Sequence, residues 1–96
     1  MQIAVRKLTM TTLEIAIDAD TEVLQAVAES FRNIDIVYKT VASALPYRWE
    51  VQLVEPRQYL GTIALTAAQI CLSDTERRIT LRREFLRVLR ETGHDH

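Results

Sequence analysis

Seven apolar residues in the first half of the chain follow one another at alternating spacings of three and four. They are Leu24, Val27, Phe31, Ile34, Tyr38, Val41 and Leu45. At about 3.6 residues per turn, such side chains share one narrow face of a helix. The same spacing is typical of the seam between helices in a coiled coil. We therefore predict one continuous amphipathic helix over residues 24–45 that packs against another helix.

Polar residues and a proline mark the ends of this helix. Asp18 or Asp20 can cap its N-terminus. Pro46 ends it, because the residue before a proline is disfavoured in helical geometry. Residues 33–37 combine Asn, Asp and β-branched side chains, which have low helix propensity. A kink or a break in this segment is therefore the alternative to a continuous helix.

The length of the predicted helix bears on how the chain associates. A helix of about 26 residues rises roughly 39 Å. A compact chain of 96 residues is only roughly 32 Å across. A straight helix would therefore extend beyond its own domain. Either it bends, or a second copy of the chain covers its projecting end, since two-fold dimers are the commonest soluble oligomers.

Alternating apolar residues predict strands on both sides of the helix. Residues 3–5 can pair with the first of these strands as a hairpin. The second strand follows Pro46. The two alternating sets are Leu13, Ile15 and Ile17, and then Trp49, Val51 and Leu53.

Residues 59–66 fit two different structures. As a strand, they would form a second hairpin with the strand around Trp49, across a turn at residues 55–58. As a helix begun by Pro56, they would contribute to a single apolar face. The members of that face are Leu60, Ile63, Ala64, Ala67 and Cys71. We predict a strand to about residue 64 or 65, followed by a short helix.

The last element is a helix with recognisable ends. Ser73 with Glu76 forms the pattern of a capping box at its start. Gly93 stands where a C-terminal glycine belongs, and residues 93–96 form a flexible tail. The apolar face of this helix consists of Leu81, Phe85, Val88 and Leu89.

These elements predict an α+β fold with one domain over residues 1–92. In this fold a small antiparallel sheet is covered on one face by the long amphipathic helix and the C-terminal helix. In chain order, the predicted elements are an N-terminal strand or hairpin, the long helix, a second hairpin and the C-terminal helix. The strand at residues 3–5 is the least supported of them, because no Gly, Asn or Asp marks a turn after it.

Composition restricts the classes of function. The net charge of −1 provides no overall attraction to nucleic acid or to an anionic membrane. Arg6 and Lys7 interrupt what would be the apolar core of a signal peptide. The longest apolar stretch, residues 62–72, is about half of the ~20 residues that a membrane span needs. A single cysteine, Cys71, fits a reducing compartment. We expect a soluble cytoplasmic protein.

The arginines of the last helix are the main candidates for a binding role. Six arginines accompany four acidic residues there. Arg83, Arg87 and Arg90 share one side of the helix and can contact phosphates or carboxylates of an anionic partner. The competing interpretation is an ordinary solvated helix face, because neighbouring acids stand at spacings that pair with arginine.

The remaining polar and aromatic candidates have simpler structural interpretations. Asp18, Asp20 and Glu22 resemble a carboxylate cluster, but their place before a helix favours capping over metal binding. His94 and His96 fit a frayed tail better than a metal site. Other candidates are Cys71, as a core residue, and Tyr47, Trp49 and Tyr59, as packing or partner-contact residues. No catalytic, metal or cofactor motif is present.

We therefore expect a non-enzymatic protein–protein interaction module, such as a small dimerising regulator, inhibitor or adaptor. Its partner is a second copy of the chain, another protein, or both. The expected partner or dimer interface consists of Leu24, Val27, Phe31, Ile34, Tyr38 and Val41. The alternative is a small nucleic-acid-binding regulator that uses Arg83, Arg87 and Arg90. No cofactor and no membrane contact are expected.

Overall fold

The computed structural model describes residues 1–53, 60–70 and 74–92. It contains four strands and three helices, which confirms the predicted α+β class. In chain order they are β1 (Gln2–Lys7), β2 (Thr12–Asp18), α1 (Thr21–Asn33), β3 (Val37–Ala42), β4 (Tyr47–Gln52), α2 (Leu60–Gln69) and α3 (Thr75–Thr92). Within these ranges, none of the helices has both the length and the apolar character needed to cross a bilayer.

The four strands form one antiparallel sheet in the order β1-β2-β4-β3. The predicted N-terminal hairpin is confirmed, with Ile3 opposite Ile17 and Val5 opposite Ile15. β4 pairs with β2, so the alternating residues of both strands point to the same face of the sheet. β1 and β3 are the edge strands of this sheet.

The core lies between one face of this sheet and the three helices. The strands contribute Ile15, Ile17 and Trp49, and α1 contributes Val27 and Phe31, all essentially inaccessible to solvent. α2 packs against both α1 and α3, which places it between them. The buried face of α2 and α3 consists of Ile63, Ala64, Ala67, Leu81, Phe85 and Val88.

The continuous helix predicted over residues 24–45 is wrong, because α1 ends at Asn33. The chain leaves the helix through Asp35, which has a φ of 55°. The N–H of Asp35 bonds to the carbonyl of Arg32, and the N–H of Ile36 bonds to the carbonyl of Phe31. This pair of bonds is a Schellman motif, which satisfies the last carbonyls of a helix and turns the chain away from its axis.

The rest of the predicted helix is a strand and a turn. β3 begins at Val37, and Pro46 precedes β4 rather than ending a helix. Tyr38 contacts Phe31 across the layers of the fold, with ring centroids 4.9 Å apart. β-branched residues favour this extended conformation. The molecule measures 35 × 29 × 23 Å, so a straight rod of roughly 39 Å does not fit within it.

The strand predicted to about residue 64 or 65 is also wrong, because α2 is a helix from Leu60 to Gln69. The pairing partner of β4 in the second hairpin is β3 instead. The helical alternative had the right face, since Ile63, Ala64 and Ala67 are buried. Its other two members, the side chain of Leu60 and Cys71, lie outside what the structure describes.

α3 begins after Asp74, whose carboxylate accepts a hydrogen bond from the N–H of Glu76 at 2.9 Å. This hydrogen bond caps the N-terminus of α3, which is the role that we predicted for Ser73. The predicted apolar face is confirmed for Leu81, Phe85 and Val88. Ser73, the side chain of Leu89, and residues 93–96 lie outside the described residues.

Candidate protein-interaction surface

α3 presents a second apolar pair away from the core. Ile79 is 50% exposed and Leu86 is 41% exposed, although both are large and aliphatic. They are one heptad apart, so they lie one above the other on the helix. This pair points about 140°, or two-fifths of a turn, away from the buried face of α3, at about 3.6 residues per turn.

Three arginines flank the apolar pair. Arg82 lies on one side of it, whereas Arg83 and Arg90 lie on the other side, at about 3.6 residues per turn. Together these residues line an open depression of about 430 Å³. We call this surface the α3 outer face. It consists of Ile79, Arg82, Arg83, Leu86 and Arg90.

Two other arginines of α3 form ion pairs with carboxylates of the same chain. Arg77 bonds to Asp20 and, at 2.6 Å, to Glu22, which ties the start of α3 to the start of α1. Arg87 bonds to Glu84 and Glu91, both at 2.9 Å. Within the described residues, Arg82, Arg83 and Arg90 have no such carboxylate. With respect to the part of the chain that the structure describes, the α3 outer face therefore carries uncompensated positive charge.

The ion pairs around α3 also shift the pKa values of residues that form them. The N–H of Val23 and then the guanidinium of Arg77 lower the pKa of the Asp20 carboxyl. Asp20 in turn raises the pKa of Arg77. Glu84, followed by Glu91, raises the pKa of Arg87. Each shift favours the charged form of the group, as expected for a residue beside an opposite charge.

The anionic-contact triad predicted from sequence is divided by the structure. Arg83 and Arg90 lie on the α3 outer face and are exposed. Arg87 is turned toward Glu84 and Glu91 and borders a different depression, beside β1. The predicted triad also left out Arg82, which the sequence counted among the six arginines of this helix, and Ile79 and Leu86 were assigned to no surface. A signal was present, because Ile79 and Leu86 are apolar residues one heptad apart outside the predicted apolar face.

The predicted dimer interface is largely occupied by the chain itself. Val27 and Phe31 are completely buried in the core, so they offer no surface to a second molecule. Three more of the six residues are half-buried and pack against this core, namely Leu24, Ile34 and Tyr38. The physical reason is that the sheet and α2 cover this face of α1 within one molecule.

Val41, the last of the six predicted interface residues, remains on the surface. It is 47% exposed on β3, and Val37 on the same strand is 63% exposed. Leu45, in the turn that follows, is 58% exposed. We call Val37, Val41 and Leu45 the β3 edge patch.

On the open face of the sheet, one row of charged residues is paired across neighbouring strands. Arg6 pairs with Glu14, and Lys39 pairs with Glu50, each at 3.3 Å. These four residues lie in one row across the sheet. These four residues therefore form two ion pairs with no net charge between them.

The other candidates from the sequence have structural roles. Asp20 is the N-cap of α1, since its carboxylate accepts from the N–H of Val23 at 3.2 Å. Trp49 is buried, and its ring contacts Phe31 and the half-buried Tyr47. Among the described residues, no three His, Cys, Asp or Glu side chains are placed to hold a metal ion. Tyr59, Cys71, His94 and His96 lie outside those residues.

Comparisons with models of protein families, with curated proteins and with solved structures found no match for this chain.

Proposed function

We propose that this chain is a non-enzymatic protein–protein interaction module, a small regulator, inhibitor or adaptor that binds its partner through the α3 outer face. The observation that carries the proposal is the exposed pair Ile79 and Leu86, flanked by arginines without a described carboxylate partner. Exposed aliphatic side chains gain free energy when a partner removes them from water. Arginine is enriched at the energetic centres of interfaces. A cytoplasmic location belongs to the same proposal.

A protein partner suits this surface better than nucleic acid does. Phosphates would pair with Arg82, Arg83 and Arg90, but they would leave Ile79 and Leu86 against a charged backbone. The chain as a whole carries a net charge of −1, which opposes non-specific attraction to a polyanion. The nucleic-acid alternative would use the arginines alone.

Selection of binders from a displayed library of random peptides tests the proposal. We expect peptides that bind the wild-type chain and lose at least about tenfold in affinity on the double variant Ile79→Glu/Leu86→Glu. Both positions are exposed on one helix, so the variant keeps its fold. Circular dichroism verifies this before binding is measured.

The matched control is Leu65→Glu, because Leu65 is 45% exposed on α2 and is not among the residues of the α3 outer face. Peptides selected on the wild type should bind this variant unchanged. A selection that yields no peptide sensitive to the α3 substitutions contradicts the proposal. Salt-dependent binding of a mixed-sequence DNA or RNA, with loss on Arg83→Glu, would favour the nucleic-acid alternative.

The dimerising part of the proposal places a second copy of the chain at the β3 edge patch. β3 is an edge strand, so one row of its backbone groups has no strand partner in the described sheet. Two copies of one strand can pair antiparallel about a two-fold axis, which extends the existing antiparallel sheet. A bulge between Thr40 and Ala42 limits regular pairing to residues 37–40.

Light scattering coupled to size-exclusion chromatography measures this association. We expect the wild type to form a dimer and Val37→Lys/Val41→Lys to be monomeric, because lysine blocks edge pairing. Met10→Lys is the control, since Met10 is 85% exposed in the turn between β1 and β2. A wild-type monomer at every concentration would rule out the dimer and leave the α3 proposal standing.

A further inference from the structure

We infer that the partner of the α3 outer face is an acidic amphipathic helix. This inference rests on the proposed function and names the class of its partner. Three properties of the α3 outer face support it: the axial spacing of its apolar pair, the placement of its arginines, and its lack of self-complementarity.

The spacing of the apolar pair selects a helix over a strand. Ile79 and Leu86 are about 10.5 Å apart along the axis of α3, at about 1.5 Å per residue. Two apolar residues one heptad apart on a partner helix have the same separation, so both can pack when the helices lie nearly parallel or antiparallel. Side chains on one face of a strand are separated by about 6.7 Å or, at every second position, by about 13 Å. Neither distance matches the spacing of about 10.5 Å between Ile79 and Leu86.

The arginines determine the charge of the partner. Arg82 lies on one side of the apolar pair, and Arg83 and Arg90 lie on the other side. This is the arrangement of charged residues that flank the seam of a coiled coil, where opposite charges on the partner pair across the interface. Carboxylates on both flanks of the partner's apolar stripe would satisfy all three guanidinium groups, and Arg can bind each carboxylate in a bidentate way.

A second copy of α3 does not fit this surface. Packing two α3 outer faces together would collect six arginines around one seam, and like charges at this distance repel. Two acids of α3, Glu84 and Glu91, already bond to Arg87. Glu76, in the first turn, adds only one carboxylate per copy against three arginines. The partner at this surface is therefore a different segment from α3 itself.

Two synthetic helical peptides test the inference directly. The acidic peptide carries leucine at the seam positions of each heptad and glutamate on both flanks, and the basic peptide has lysine at every glutamate position. We expect the wild-type chain to bind the acidic peptide, more weakly as salt is raised, and not the basic one. On Arg83→Glu/Arg90→Glu the acidic peptide should lose at least about tenfold in affinity. On the same variant the basic peptide should gain binding.

The control for charge is Lys7→Glu/Arg32→Glu, which makes the same change in net charge at residues outside the α3 outer face. It should leave binding of the acidic peptide unchanged. A third peptide, with the acidic composition but with proline in each turn, should not bind, because it cannot form a helix. Equal binding of the proline peptide would refute the helical partner.

The inference is overturned if the acidic peptide fails to bind, or if the acidic and basic peptides bind equally. Binding to vesicles that contain phosphatidylserine, lost on Arg83→Glu/Arg90→Glu and without peptide binding, would replace the helix with an anionic membrane surface. Library peptides that depend on Ile79 and Leu86 but are neither acidic nor helical would overturn the inference while the proposed function stands.

Discussion

Asp35 is the residue at which the chain departs most from the predicted helix. Its φ of 55° lies in the left-handed region, which aspartate enters more readily than most residues other than glycine and asparagine. Ile36, three residues beyond the end of α1, is then buried in the core at 7% exposure. This explains an isoleucine that would sit on the polar side of a continuous helix.

Replacing Asp35 tests this conformation. We expect Asp35→Val to lower the free energy of unfolding by about 1–2 kcal/mol, since a β-branched side chain clashes with the backbone at positive φ. Asp35→Gly removes that clash and should be neutral or slightly stabilising. Urea denaturation measures both. Equal stability of the valine variant and the wild type would contradict the Schellman geometry at the end of α1.

Asp20 makes a pH-dependent contribution to stability. Its pKa is lowered in the folded state by the N–H of Val23 and by Arg77. A lowered folded pKa adds stability above the unfolded pKa of about 3.9, and this stability is lost as the pH falls through the lower folded value. We expect wild type to exceed Asp20→Asn in thermal stability at neutral pH and the difference to vanish in acid. A difference that persists in acid would contradict this.

At the scale of elements, α3 combines two surfaces on one helix. Its buried face follows from local periodicity, so the sequence identified Leu81, Phe85 and Val88 correctly. The exposure of Ile79 and Leu86 depends on which elements reach the other side of the helix. That information is not local, and the sequence therefore left these residues unassigned.

Two substitutions on α3 should differ greatly in their effect on stability. Leu81→Ala leaves a cavity in the core and should cost about 2–5 kcal/mol of unfolding free energy. Ile79→Ala should change it by less than about 0.5 kcal/mol, as is usual for a surface position. Chemical denaturation of the two variants measures the contrast. A large loss of stability in Ile79→Ala would mean that the α3 outer face is covered within the molecule.

At the scale of the whole molecule, all the strands but β3 and all three helices contribute buried residues to one core cluster. Half-buried Tyr38 of β3 packs against that cluster. Trp49, the single tryptophan, lies inside it at 2% exposure and contacts Phe31 of α1 with ring centroids 5.6 Å apart. The fold therefore has no separate part that could retain its packing after the rest unfolds.

We expect the chain to unfold in a single cooperative transition. Trp49 fluorescence reports the core, whereas far-ultraviolet circular dichroism reports the helices. The two transitions in urea should coincide in midpoint and slope. A tryptophan transition that precedes the loss of helix would contradict a shared core and would indicate an intermediate.

The sequence by itself determined the features that depend on neighbouring residues. It predicted the α+β class, the N-terminal hairpin, a cap at Asp18 or Asp20 and the described part of the buried face of α3, because strand alternation, helical periodicity and capping act over a few residues. It also marked residues 33–37 as the segment where the alternative to a continuous helix, a kink or a break, would occur.

Only the tertiary structure decided which secondary structure the remaining segments adopt and what they pack against. The break in the stripe, the pairing of β3 with β4 and the helical state of α2 depend on contacts between residues far apart in the chain. A spacing of three and four can be satisfied by a helix up to Phe31 and then by a strand that returns Tyr38 to the same core. The ion pairs of α3 with α1 follow from the same packing, because the carboxylates that bind Arg77 belong to Asp20 and Glu22 at the start of α1, more than fifty residues away.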